Sequence, residues 1–139
     1  MGVVYDLASG TEVPDTSVLF IDDDPELLAG LERALRPWRA DYEMLFVCGG
    51  SAGLSTLQRR PVDVVVTDMA MPMVDGGELI DRARKLRPET AFIVLSGHCA
   101  PARVDALTHD GVVYLGKPAA PEVVMEMVED AVDWLATMC

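Results

Sequence analysis

Five short runs of β-branched and aliphatic residues recur along the chain, each followed by a segment with helical spacing. The runs are SVLFI (17–21), EMLFV (43–47), VDVVVT (62–67), AFIVL (91–95) and GVVYL (111–115). Residues 64–66 and 93–95 are apolar without alternation, the pattern of strands covered on both faces. After the first run, Leu27, Leu28, Leu31, Ala34 and Leu35 make a helical stripe behind Pro25, a residue suited to a first turn. Pro37 is expected to close that helix. Further helices are expected at about 51–59, 77–86, 101–108 and 121–136. In the last, Val124, Val128, Ala131, Val132 and Leu135 form an apolar stripe, while Glu122, Glu126, Glu129 and Asp133 form an acidic one. Connections this short permit only right-handed crossovers between parallel strands. The β-α rhythm therefore predicts an α/β fold, an open parallel sheet of five strands wound with helices on both faces.

In such a sheet, ligands bind beyond the carboxyl ends of the strands. The residues there are Asp22 and Asp23 after the first run, Asp68 after the third, Ser96 after the fourth and Lys117 after the fifth. Three carboxylates on one edge repel one another unless a cation joins them. Carboxylate oxygens suit Mg²⁺, which takes one or two such ligands and keeps waters and a phosphate oxygen. Lys117 adds a fixed positive charge and Ser96 a hydroxyl donor. An oxygen nucleophile, a hard cation, an ammonium and a hydroxyl are what phosphoryl transfer requires. A single Asp at a strand end is usually a helix N-cap, and Asp24 ahead of Pro25 is assigned that role. The cap does not account for five such residues at successive strand ends.

The segments FIDDDP, VVVTDMAMPMVDGGEL, IVLSGH and YLGKP, in this order and spacing, resemble those of bacterial response-regulator receiver domains of the CheY-like superfamily. The resemblance covers roughly residues 17–136. It implies a flavodoxin-like (βα)5 fold with strand order 2-1-3-4-5. It also implies that Asp68 is the phosphoacceptor, that Asp23 binds Mg²⁺ directly, and that Asp22 acts largely through a metal-bound water. The Ala70 backbone carbonyl would complete the metal site, and Mn²⁺ would be an acceptable substitute ion. Ser96 and Lys117 would hold the phosphoryl oxygens, and Tyr114 matches the family's rotameric switch aromatic. Ala70 and His98 occupy the two positions that tune dephosphorylation. Pro72, Asp75 and Gly76 shape the loop after Asp68, and Pro118 follows the lysine in an X-Pro bond that is cis in many relatives.

The resemblance further implies a donor, the phosphohistidine of a sensor kinase or phosphotransfer protein. Phosphorylation would change the face made by the fourth helix, fifth strand and fifth helix, and so signal to an output domain or downstream protein. A homodimer through that face would need a basic counterpart to the acidic stripe, with Arg103 one candidate. The protein assists its own phosphorylation and dephosphorylation and has no separate turnover substrate, so it is not read as a conventional enzyme. The stretch from LERALRP to VVVTDMAMPMVDGGEL, with LSGH after it, looks most like receivers that precede HD-type signalling domains.

Other readings fit less well. Gly111-Val-Val-Tyr-Leu-Gly116-Lys117 nearly spells a Walker A motif, but Pro118 offers no hydroxyl and the middle residues read as a buried strand. A haloacid-dehalogenase-type phosphohydrolase would share Asp22-x-Asp24, yet Asp68 precedes Ser96 and no acid pair follows Lys117. A phosphorylation-independent interaction module would normally have lost the acceptor, an acid or the lysine, and all are present. His98 and Cys99 have no second pair at ligand spacing and do not make a zinc site. Met125, Met127 and Met138 read as core and edge filling, with an exposed Met125–Trp134–Met138 patch as the alternative.

Composition bounds the remainder. A chain of 139 residues, half of them hydrophobic, can bury one core. Residues 17–136 are read as the receiver, 1–16 as a loose extension, and 137–139 as a tail or the start of a linker. A net charge of −12 disfavours direct nucleic-acid contact. No apolar run approaches the ~20 residues a membrane span requires, and the N-terminus lacks the basic, then apolar, pattern of a secretory signal. Cys48, Cys99 and Cys139 are scattered and odd in number, which suits a reducing, cytoplasmic setting.

Overall fold

The computed structural model describes residues 3–6, 11–68, 76–97, 112–117 and 119–137. Two strands, β1 (Val3–Asp6) and β2 (Thr11–Pro14), pair antiparallel as a separate ribbon. The sequence shows no period here and predicts a loose extension. A two-stranded ribbon instead satisfies its backbone locally.

The main sheet holds β3 (Ser17–Asp22), β4 (Glu43–Cys48), β5 (Val64–Thr67), β6 (Ala91–Ser96) and β7 (Val113–Gly116). All neighbours are parallel, in the order β4-β3-β5-β6-β7. Counting only these five strands, the order is 2-1-3-4-5, as the resemblance implies.

Alternate residues of each strand serve opposite faces. Leu19, Ile21, Val65 and Val94 pack with Leu57 of α2 (Gly50–Arg59) and with Leu79, Ile80 and Ala83 of α3 (Gly76–Leu86). Val18, Phe20, Val64, Val66 and Ile93 pack with Leu28 of α1 (Pro25–Ala34), and with Val124, Met125 and Val128 of α4 (Pro121–Thr137). Val64–Val66 of β5 and Ile93–Leu95 of β6 are buried, as their lack of alternation predicts, and β3 is buried along its whole length as well. The helix expected at about 101–108 lies outside the described residues.

Some details differ from the sequence pattern. The first helix ends at Ala34, and Pro37 falls inside a following 3-10 turn, Arg36–Trp38. Within the α1 stripe, Leu28 and Leu35 are buried, whereas Leu27 and Ala34 are exposed. Met125 is buried and Trp134 is exposed, so Met125 cannot join a surface patch with Trp134; Met138 lies outside the described residues. Gly53 has a packing reason: a Cβ there would lie 2.4 Å from Ile21 Cδ1, so a larger residue would force that buried side chain to shift for α2 to rest on β3. Among the described residues, no helix is long and apolar enough to cross a membrane.

Candidate functional site

At the carboxyl end of β3 the chain passes from Asp22, through a bend at Asp23, into α1. Asp24 caps that helix, its Oδ1 accepting from the amides of Glu26 at 3.0 Å and Leu27 at 3.3 Å. The N-cap role read from the sequence is therefore the one the residue performs. Asp22 is only 5% exposed. Its Oδ1 accepts from the Asp24 amide at 3.0 Å and its Oδ2 from Lys117 Nζ at 2.8 Å. Burying a carboxylate is costly unless it is paired and hydrogen-bonded, and this one has both kinds of partner.

Asp68 follows β5 directly, with its amide donating to the Ile21 carbonyl at 3.0 Å. Lys117 Nζ lies 3.8 Å from Asp68 Oδ1, so one ammonium spans the acids of two strands. Asp22, Asp23 and Asp68 each present a carboxylate oxygen within 4.8 Å of the others. The Asp23 carboxyl is pushed above its ordinary value, first by loss of surrounding solvent, then by the hydrogen bond and charge of Asp22, with the charge of Asp68 adding to them. The residue is itself exposed, so its neighbours' negative charge is the firmer physical cause of the two.

Three acids against one lysine leave net negative charge on hard oxygen donors. This donor set fits a hard divalent cation such as Mg²⁺. The remaining predicted residues are distributed around it. Ser96 ends β6 beside Gly116 of β7, which places its backbone on the same edge of the sheet. Tyr114 lies on β7, half-buried and packed against the core on the α2 and α3 side. Gly76 opens α3. Ala70, Pro72, Asp75, His98 and Pro118 lie outside the described residues. An open apolar groove of about 520 Å³ runs beside Lys117 between α1 and the start of α4, lined by Leu27, Leu31, Leu95 and Ala119 among others.

Two residues that the sequence pattern does not single out also meet this edge. Cys48 Sγ donates to the Asp23 carbonyl at 3.3 Å, and Thr67 Oγ1 donates to the Asp68 carbonyl at 3.0 Å. The one signal for them in the sequence is Thr67 itself, a polar residue closing an otherwise all-valine strand.

Comparison with known proteins decides the family. The model of the response regulator receiver domain matches residues 18–129. The chain belongs to the response-regulator receiver family. As a receiver, it is a module of two-component signalling and not a turnover enzyme, which sets the phosphohydrolase reading aside.

Among curated proteins, the transcriptional regulatory protein GlrR of Escherichia coli (strain K12) is 32% identical over 117 residues, covering 84% of this chain and 26% of that protein. The photosynthetic apparatus regulatory protein RegA of Rhodobacter capsulatus is 33% identical over 106 residues, covering 76% of this chain and 56% of its own. The chain thus spans about a quarter to just over half of these relatives' length. A receiver domain from Clostridium thermocellum superposes with a TM-score of 0.80 at 26% identity, covering 89% of this chain and 99% of that one. A CheY-like receiver from Methanospirillum hungatei gives 0.82 at 23% identity, covering 89% and 98%, and speaks for the fold alone.

Proposed function

We propose that this receiver accepts a phosphoryl group on Asp68 in a Mg²⁺-dependent reaction and relays that state to a partner. One observation carries the reading: Asp22, Asp23 and Asp68 converge within 4.8 Å, with Lys117 Nζ reaching both Asp22 and Asp68. A carboxylate oxygen of Asp68 attacks phosphorus and forms the new P–O bond. The bond from phosphorus to the donor breaks, and the donor leaves with that electron pair. Asp23, Asp22, Asp68 and the Ala70 carbonyl would hold the Mg²⁺ ion, which when bound supplies positive charge to the phosphoryl oxygens. Lys117 is drawn from Asp22 toward the new charge, and the Ser96 hydroxyl donates to a phosphoryl oxygen.

The added charge, close to two negative units, favours the arrangement in which Tyr114 turns inward behind Ser96. That is a shift between pre-existing states, driven by the phosphoryl group's different contacts in each. The face made by the helix expected at about 101–108, β7 and α4 then changes shape. The donor is the phosphohistidine of a sensor kinase or phosphotransfer protein, and the apolar groove beside Lys117 gives such a protein somewhere to rest while its phosphohistidine meets Asp68. The listener is an output domain or a separate protein, and a second copy can pair through the same face. Ala70 and His98 flank the phosphoryl group and set its lifetime, while Pro72, Asp75, Gly76 and Pro118 shape the loops around it. The receiver unit is residues 17–136, with 1–16 as an extension before it and 137–139 as a tail or the start of a linker.

The test is incubation with Mg²⁺ and acetyl phosphate, followed by mass measurement of the intact protein. Wild type should gain one phosphoryl group, and Asp68→Asn or metal removal by chelation should abolish the gain. Equal incorporation by wild type and Asp68→Asn would overturn the assignment of the acceptor.

A further inference from the structure

We infer that Thr67 and Cys48 are positioning residues that fix the main chain carrying Asp68 and Asp23, so that nucleophile and metal ligand meet at the right separation. The inference rests on the function proposed above and concerns two side chains that hold no phosphoryl group and no metal. The backbone carbonyl of each acid in the triad has a donor from outside the triad. Gly49 N–H donates to the Asp22 carbonyl at 2.8 Å, Cys48 Sγ–H to that of Asp23 at 3.3 Å, and Thr67 Oγ1–H to that of Asp68 at 3.0 Å.

Thr67 makes the stronger case. It is 1% exposed and follows Val64, Val65 and Val66 in a strand that is buried throughout. Valine has nearly the same shape and would be cheaper to bury, because a hydroxyl is costly in an apolar site unless it is bonded. Here the bond goes to the carbonyl of the acceptor residue itself. With the Asp68 amide donating to Ile21, both polar groups of that residue's main chain are tied. The carboxylate then swings only about its own side-chain torsions, at the point where the chain leaves the sheet.

Cys48 does the same for Asp23 from the neighbouring strand. It stands opposite Asp22 in the β3–β4 register, where Gly49, at φ 94°, turns the chain from β4 into α2. That turn brings the Gly49 amide and the Cys48 thiol together onto the Asp22–Asp23 segment. Asp23 lies at a bend, outside the strand ladder, and its carbonyl takes the thiol as donor.

The two contacts act on different parts of the reaction, and this separates positioning from general loosening. Asp23 serves only the cation, so Cys48→Ala should weaken Mg²⁺ binding about two- to threefold, because an exposed thiol is a weaker donor than the partners of an ordinary net hydrogen bond. It should leave the rate of phosphorylation at saturating Mg²⁺ unchanged. Asp68 is both ligand and nucleophile, so Thr67→Val should lower the saturated rate about three- to tenfold, the worth of one net hydrogen bond, while the protein stays folded. Thr67→Ser and Cys48→Ser retain a donor and should restore most of each loss. Mg²⁺ affinity is read by calorimetry, the rate by mass measurement with acetyl phosphate, and folding by thermal unfolding.

If wild type binds Mg²⁺ and takes up phosphate while Thr67→Val and Cys48→Ala match it in both measures, the positioning roles are wrong and the proposed function stands. Equal loss in both measures for both variants, or loss unrelieved by serine, would reduce the residues to structural ones and overturn the inference. A wild-type protein that neither binds Mg²⁺ nor gains phosphate overturns the functional reading, and this inference with it.

Discussion

The two ends of β5 each carry an aspartate, Asp63 before the strand and Asp68 after it, and they are put to opposite uses. At the amino end, Asp63 Oδ2 accepts from the Ser17 amide at 2.8 Å and from the Ser17 hydroxyl at 3.3 Å. The Asp63 amide donates back to Ser17, and its carbonyl accepts from the Ala91 amide. That carboxylate ties β3 to β5. At the carboxyl end, Asp68 meets two other acids and shares a lysine. A carboxylate supplied with amide and hydroxyl donors is a structural part; carboxylates that converge on one another form the acidic cluster typical of a receiver's Mg²⁺ site. The distinction lies in what surrounds the oxygens, because the residue type and its place beside a strand are the same.

The largest effects should come from removing these acids one at a time. Asp63→Ala leaves the Ser17 amide without its partner and should cost about 1–3 kcal/mol of stability. The phosphate gained per folded molecule should be unchanged. Asp68→Asn should do the reverse, abolishing uptake while stabilising the metal-free fold by relieving repulsion from Asp22 and Asp23. Denaturant titration beside mass measurement reads both, and a loss of uptake in Asp63→Ala would erase the contrast.

Next in size is Lys117→Met, which keeps the apolar stem and removes the charge that faces buried Asp22. Breaking a well-buried pair costs several kcal/mol, but Lys117 is 23% exposed, so about 1–2 kcal/mol is expected at neutral pH. Adding Asp22→Asn in the same chain should return part of that loss, and strict additivity in this double-mutant cycle would show that the pair is not coupled.

A smaller effect concerns pH. Because the folded Asp23 carboxyl is held above its ordinary value, the fold binds that proton more tightly than the unfolded chain does. The stabilisation is therefore present below the unfolded value and is lost as pH rises through the folded one. Asp23→Asn should make the metal-free protein more stable at neutral pH, with the gain shrinking as pH falls through the carboxylate range. Unfolding midpoints followed against pH without Mg²⁺ would refute this if the gain grew toward acid.

The smallest effect belongs to the amino end again. Arg60 pairs with Glu43 there, and both side chains are more than a third exposed. Arg60→Ala should change stability by no more than about 1 kcal/mol, and less in high salt.

Much of this architecture is legible in the sequence. The β-α rhythm and the wholly apolar runs lead to the parallel sheet, and the acids and lysine at strand ends lead to the site. Both signals are local, since a strand's burial and its terminal residue can be read from a few neighbouring positions. The N-terminal ribbon is not legible, because residues 3–6 and 11–14 carry no period and, among the described strands, pair with one another. Nor is the support from Thr67 and Cys48, whose partners depend on the turn at Gly49 and on parallel register.

The sequence by itself determined which chemical groups stand at the ends of the strands, because strand length and alternation follow from hydrophobic pattern alone. Only the tertiary structure decided which of those groups meet. Lys117 lies 95 residues from Asp22, yet its ammonium sits 2.8 Å from that carboxylate because β3, β5, β6 and β7 lie side by side in one sheet. Asp63 and Asp68 flank the same short strand and share no partner among the described residues, because a strand carries its two ends to opposite edges.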